Sequence, residues 1–326
     1  MLRYIFKRVV MLIPVLLGVS FLIFTMLYIT PGDPARQVLG SEASPEAIKA
    51  YRDELGLNDP FFVRYGRYLL NAVQGDLGKS YTTKQPITKE LMDRFPTTLI
   101  FAVTSTIIAI VIGIPLGILS ATKQYSIVDK ISTFIALFGV SMPTFWLGLL
   151  LILLFSLHLG WLPSSGFSGP KYWILPALTV GMSTAATIMR QTRSSMLEVI
   201  RQDYIRTARA KGQTEIKIVL KHALKNALIP IITVIGLQFG RSLGGTIVAE
   251  QIFSIPGLGK LMVDAIQSRN YPVVQGGVLF IAVAFSLVNL VVDVLYFIID
   301  PRLKQNSISG QRRKNKTPAK MGGVQT

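Results

Sequence analysis

The sequence predicts an all-α integral membrane protein with six transmembrane helices and both termini on the cytoplasmic side. Half of the 326 residues are hydrophobic and the mean hydropathy is +0.48, the composition of a chain whose main solvent is lipid. Six runs, at 9–29, 99–121, 131–157, 172–188, 228–247 and 276–299, are long and apolar enough to cross roughly 30 Å of hydrocarbon as helices. Charge supplies the third observation. The N-terminus, 122–130, 190–227 and the tail from 300 carry 21 basic and 5 acidic residues. The alternate segments, 31–98, 158–171 and 250–275, carry 12 and 11. Nearly all of the net charge of +17 therefore lies on one side, which the positive-inside rule makes cytoplasmic.

Each element follows in order. Arg3, Lys7 and Arg8 precede the first run as they would in a signal peptide, but the run spans about 21 residues and no small-x-small cleavage site follows, so it reads as a retained anchor. PGDP, residues 31–34, marks a sharp exit, since proline fixes φ and lacks a donor. Ser44 then suits an N-cap, Pro45 the first helical position and Gly56 the close of a helix through Leu55. A second short helix is expected after Pro60, with Phe61, Tyr65, Tyr68, Leu69 and Ala72 on one face, ending near Gly75. That apolar face needs the membrane surface or the helix bundle for cover, making the segment a lid or docking appendage or a plain structural one. The chain thus divides into 1–30, an extracytoplasmic helical insertion at 31–98, a five-helix core at 99–300 with a cytoplasmic loop at 196–227 and an outer loop at 250–275, and a basic tail at 301–326.

Several function classes drop out. Cysteine is absent, which removes disulfides, thiolate metal sites and cysteine nucleophiles. GDLGKS, residues 75–80, suggests a phosphate loop, but the required earlier glycine is Val73, no strand precedes it, and the expected side is extracytoplasmic. His158 and His222, the only histidines, fall on opposite faces and cannot share a metal. No HExxH or GxSxG occurs, so no catalytic residue, metal or cofactor is assigned to this chain. The tail cluster RRKNK reads as a juxtamembrane segment drawn to anionic lipid rather than to nucleic acid.

The most informative stretch is DYIRTARAKGQTEIKIVLKHALKNALIP, residues 203–230, a basic helix-forming loop between two apolar runs. Gly212 splits it into two short helices. Tyr204, Ala208 and Lys211 lie at i, i+4 and i+7, with Ile205 and Thr207 beside them and Arg206 and Arg209 flanking. A small, partly apolar surface with an arginine rim suits docking in a groove of a soluble protein, and the alternative is a solvated loop near anionic lipid.

YIRTARAKG followed by HALKNALIP resembles the cytoplasmic EAA loop of binding-protein-dependent ABC importer permeases of the oligopeptide and dipeptide branch. The resemblance extends to PGDPA (31–35), GDLGKS, PTTL (96–99), SMPTFWLG (141–148) and EQIFSIPGLGKLMVDAIQSRNYPVVQG (250–276). It implies a type I ABC importer fold and a permease subunit that forms the translocation pathway for peptides or a similar solute. Its implied partners are a second homologous permease, two ATPases that bind ATP and Mg, an extracytoplasmic substrate-binding protein and membrane lipid, in a bacterial or archaeal cytoplasmic membrane. By resemblance Tyr204, Ala208, Arg209, Ala210, Lys211 and Gly212 serve ATPase coupling, while Glu250, Pro256, Gly257 and Gly259 belong to an outer loop that gates or docks the binding protein. One departure matters: Arg206, Thr207 and Ala208 stand at the EAA positions, so the motif's glutamate contact is not carried over.

Charged groups within spans are costly and generally face protein or water, which selects Arg241 and Asp293 as pathway candidates. Arg241 could meet a peptide carboxylate or form an ion pair with Asp293. Pro143, inside the third run, is expected to kink it. An ion-coupled secondary transporter is the competing class, but it calls for buried acids or inverted repeats, and only Asp293 fits.

Overall fold

The computed structural model describes residues 2–40 and 42–299, and the tail from 301 lies outside them. Helix α1 (Leu2–Ile29) is followed by α2 (Pro34–Leu39), α3 (Pro45–Glu54) and α4 (Phe61–Val73) of the insertion. The caps at Ser44 and Gly56 are those expected from sequence, Ser44 Oγ accepting from the Ala47 amide at 3.2 Å and Gly56 taking φ +62°, and Asp33 adds a cap on α2 by accepting from the Ala35 amide at 3.0 Å. The insertion finds its cover on the bundle. Phe61 and Tyr65 pack edge-on against Phe21 and Phe24 of α1 at 5.2–5.9 Å, and Tyr68 donates to the Gln275 carbonyl at 3.4 Å.

The second crossing, α5 (Ile87–Thr122), starts 12 residues before its apolar run and continues through Pro96 and Pro115. At 1.5 Å per residue its 36 residues reach about 54 Å, well beyond the hydrocarbon. GDLGKS precedes it as a turn, with the Gly78 amide bonded to Asp76 and a single bridge between Lys79 and Pro86. The third crossing differs most from expectation. It is broken rather than kinked: α6 (Ile127–Ser141) and α7 (Thr144–Leu151), the latter continuing as a π-helical turn through His158, meet at 106°. Pro143 forces Met142 into an extended conformation, ψ 129°, and starts the next helix itself. Helix α8 (Pro170–Ile200) runs 31 residues and carries the fourth crossing into the cytoplasmic loop.

The loop forms α9 (Asp203–Ala210) and α10 (Glu215–Lys217), then a π-helical turn, Ile218–Ala223, that merges into α11 (Leu224–Gly245). Outside, α12 (Ile247–Ile252) and α13 (Leu258–Gln267) lead to the last crossing, α14 (Tyr271–Ile299). Five described helices are long and apolar enough to cross a membrane, and counting the broken pair as one crossing gives the expected six.

The bundle is centred on α5 against α8. A Cβ on Gly113 would lie 2.7 Å from the Ala185 carbonyl, one on Gly117 2.8 Å from that of Met189, and one on Gly181 2.9 Å from that of Ser105. Only glycine lets these backbones touch, the small-residue packing that membrane helices use in place of a hydrophobic drive. Gly236, Gly240 and Gly244 serve α11 in the same way against Val292, Phe285 and Ile281 of α14.

Candidate functional site

The loop between the fourth and fifth crossings is a helical hairpin whose inner face is fixed to the helix bundle. Ile205 and Ala208, three residues apart, are buried in a cluster with Ile218 and Ala223 of the returning π-helical arm of the hairpin and with Ala121 and Met196 at the inner ends of α5 and α8. Gly212, at φ +75°, makes the reversal, and its amide closes on the Arg209 carbonyl at 2.9 Å. Arg209 crosses the turn to bind Glu215 in bidentate fashion, Nε to Oε1 at 2.7 Å and Nη2 to Oε2 at 3.2 Å, which pulls the Glu215 carboxyl below its ordinary value. Asn226 donates to the Tyr204 hydroxyl at 2.8 Å, and the half-buried His222 pairs with Gln213 at 2.8 Å.

The outward face is therefore Tyr204, Arg206, Thr207, Arg209, Ala210 and Lys211, all exposed. This corrects the expected surface in one respect. Ala208 is 8 % exposed and faces the permease, because Ile205 and Ala208 form the apolar stripe of α9 and the bundle, not a partner, covers it.

Beside this hairpin stands a polar clamp that sequence reading missed. Asp129, in the first turn of α6, receives Arg193 of α8 at two points, Nε to Oδ1 and Nη2 to Oδ2, both 2.8 Å. Ser120 of α5 donates to the same carboxylate and accepts from Arg193 Nε at 3.1 Å, and the Tyr125 amide donates to Oδ2 at 2.9 Å. Three helices thus meet at one carboxylate. The available signal was Ser126, which caps the Asp129 amide at 3.3 Å, a serine followed three residues later by an acid at a helix start. Nothing local points to Arg193, 64 residues away.

The four outer-loop candidates converge on one knot. Glu250 is fully buried; Oε1 accepts from Thr98 at 2.9 Å and Thr246 at 3.1 Å, and Oε2 from the Lys260 amide at 3.0 Å. Burial pushes its carboxyl up, and these donors pull the other way. Gly257 and Gly259 make room for it, since a Cβ on either would lie 2.5 and 2.9 Å from the carboxylate. Thr98 also accepts from the Leu258 amide at 2.7 Å, and Arg94 donates to the Pro256 carbonyl at 3.4 Å, which ties the loop to the outer half of α5.

The pathway candidates are not assembled in the same way. Arg241 is exposed and bonds to Gln238 at 3.2 Å, Pro143 is exposed at the break between α6 and α7, and the side chain of Asp293 lies outside the described residues. Among the described residues no group of three potential metal ligands occurs.

The described chain thus combines up to six membrane crossings with a braced hairpin on one side and a knotted loop on the other. Residues 113–305 match the family described as binding-protein-dependent transport system inner membrane component, and residues 1–102 match its N-terminal counterpart. The chain belongs to that family. It is 47 % identical over 304 residues, 93 % of this chain and 99 % of the relative, to the glutathione transport system permease protein GsiC of Escherichia coli O6:H1. It is 46 % identical over 332 residues, 93 % of this chain and all of the relative, to the dipeptide transport system permease protein DppB of Alkalihalophilus pseudofirmus. Two inward-facing structures of the MetNI methionine ABC transporter share the fold, with TM-scores of 0.57 and 0.53, at 21 % and 20 % identity. They cover 65 % and 64 % of this chain and 96 % of each matched chain. The chain is thus a permease subunit of an ATP-driven importer in the cytoplasmic membrane of a bacterium, a transport subunit rather than an enzyme, working with ATPase and substrate-binding partners. The ion-coupled alternative is not favoured.

Proposed function

We propose that this chain pairs with a second homologous permease and two ATPases to import short peptides or glutathione-like thiol peptides, delivered by an extracytoplasmic binding protein. The ATP and Mg belong to the ATPases. The relatives' names support the solute class, and the hairpin supports the coupling role. Its basic outward face, with Tyr204, Arg209, Ala210, Lys211 and the Gly212 turn, stands on a buried base of Ile205 and Ala208, so force on the face reaches α5 and α8 directly. The insertion at 31–98, the core at 99–300 and the loops at 196–227 and 250–275 are the working parts.

The stroke follows from the contacts. Closure of the ATPases moves α9, the Ile205–Ala208 cluster carries α5 and α8 with it, and the Arg193–Asp129 clamp passes the displacement to α6 and the broken crossing. Pro230, within α11, absorbs part of the motion, since proline frees a backbone carbonyl where the chain bends. At the outer end the Glu250 knot, with Pro256, Gly257 and Gly259, forms the gate. Arg241 and Pro143 line the pathway, with Asp293 as the candidate counter-charge.

The chain's lack of cysteine makes the test direct. Single cysteines at Thr207 and Ala210 are expected to form disulfide cross-links with cysteines placed in the groove of a partner ATPase, and one at Ala208 is not. Cross-linking at Ala208 in preference to Thr207 would overturn the orientation, and none at any of the three the docking role.

A further inference from the structure

Between the insertion and the outer ends of α1 and α14 lies a cavity of about 350 Å³, the size of a small-ligand pocket. Its walls include Tyr28, Asp33, Arg52, Arg64, Tyr81 and Tyr271. The depth is defined by the chain: Tyr28 is the last residue but one of the first crossing, and Tyr271 is the first residue of the last helix. This is the level at which aromatic belts and phosphate groups lie.

The charges do not cancel. Arg52 donates to Asp33 at 3.1 Å and to Asn58 at 3.1 Å. Arg64 has no carboxylate partner among the described residues. Its guanidinium lies 5.4 and 6.0 Å from the ring centroids of Tyr28 and Phe24, and it spends one donor on the Leu57 carbonyl at 3.3 Å. A guanidinium has five N–H donors, so most of its fork is left for an anion. Tyr81 is fixed by its amide, which donates to Asn270 Oδ1 at 3.0 Å. Burial pushes the Tyr81 hydroxyl up to about 12, so it stays an O–H donor. The surrounding helices expose apolar side chains that hydrocarbon would cover, Met26 and Ile29 on α1 and Phe62 and Val73 on α4.

We propose that this cavity holds the phosphodiester headgroup of one anionic phospholipid of the outer leaflet, with Arg64 as the main phosphate donor and Arg52 and Tyr81 beside it. One net positive charge on the wall matches one negative headgroup. A choline or ethanolamine headgroup would bring a second cation toward two arginines, and the faces of Phe24 and Tyr28 that could receive it are already taken by Arg64. The position at the membrane surface favours a lipid over a soluble anion. The seated lipid would hold the insertion against α1 and α14.

The test uses the intact transporter in phosphatidylcholine nanodiscs doped with phosphatidylglycerol, the retained lipid being counted by native mass spectrometry. The wild type is expected to retain phosphatidylglycerol well above its share of the mixture, Arg64→Gln to lose about tenfold of that preference, and Arg64→Lys to keep part of it as a point charge without the fork. Glycerol 3-phosphate at millimolar concentration is expected not to displace the lipid. Equal retention of both lipids by the wild type would overturn the proposal even if a variant failed to assemble. So would an Arg64→Gln preference like the wild type's, and displacement by glycerol 3-phosphate would make this a soluble-anion site instead.

Discussion

Replacing Arg193 with glutamine strips Asp129 of two 2.8 Å charge-assisted bonds and leaves it with Ser120, the Tyr125 amide and a long bond from Thr133 at 3.5 Å. The Asp129 side chain is only 6 % exposed, so the abandoned carboxylate has little access to water. Removing one partner of a fully buried pair costs about 3–5 kcal/mol. Arg193 itself is 28 % exposed, and water entering its place offsets part of the loss, which puts the expected destabilisation nearer ~2–3 kcal/mol. The unfolding midpoint of the detergent-solubilised complex measures it. The double variant Arg193→Gln with Asp129→Asn carries no stranded charge and is expected to recover most of the stability. Its function is expected to stay impaired, with uptake reduced several-fold against the ATP hydrolysis that loaded binding protein elicits, because α6 no longer follows α5 and α8. If uptake and hydrolysis instead fall together in proportion to folded protein, and the double variant restores both, the clamp carries stability alone. A midpoint shift worth less than about 1 kcal/mol would refute the burial argument itself.

Further outcomes follow from the same contacts. Glu250→Gln swaps one acceptor oxygen for a donor among Thr98, Thr246 and the Lys260 amide, leaving at least one buried donor unpaired at a cost of about 1–3 kcal/mol; faster hydrogen exchange at Leu258 and Lys260 should report it, and unchanged exchange would refute the pinning role. Gly117→Ala forces α5 off α8 at the Met189 carbonyl, at about 1–3 kcal/mol, and a normal yield of folded protein on size exclusion would contradict that packing. Gly212→Ala must hold an alanine at φ +75°, costing about 1 kcal/mol, which should appear as a several-fold weaker retention of the ATPase in pull-down titrations. Ala208→Glu buries a charge and is expected to lower the permease's own thermal stability, whereas Arg206→Glu, on the outer face, should weaken ATPase retention and leave the melting point unchanged.

What could be read in advance was what depends on local pattern. Apolar length located the crossings, and capping chemistry placed Ser44 and Gly56 at helix ends. Gly212 was legible because glycine in a run of helix formers has few other uses. Local pattern does not say which face of a short amphipathic helix meets its own protein and which a partner. Ala208 was assigned outward because small residues suit both. Nor does it couple distant charges: Asp129 and Arg193 each look like ordinary juxtamembrane residues until α5, α6 and α8 are brought together. Pro143 announced a bend, but its angle of 106° depends on the packing of α7 against α8 and α12.

The length of α5 has a mechanical consequence. Thr98, which holds the Glu250 knot, and Ser120, which holds the clamp, sit 22 residues apart on one uninterrupted helix, about 33 Å, close to the thickness of the hydrocarbon layer. A tilt imposed at the inner end therefore arrives at the outer latch as a displacement of the same rod, with no chain of intermediates to lose it. On the proposed stroke, opening on one surface and closing on the other would be two readings of a single lever.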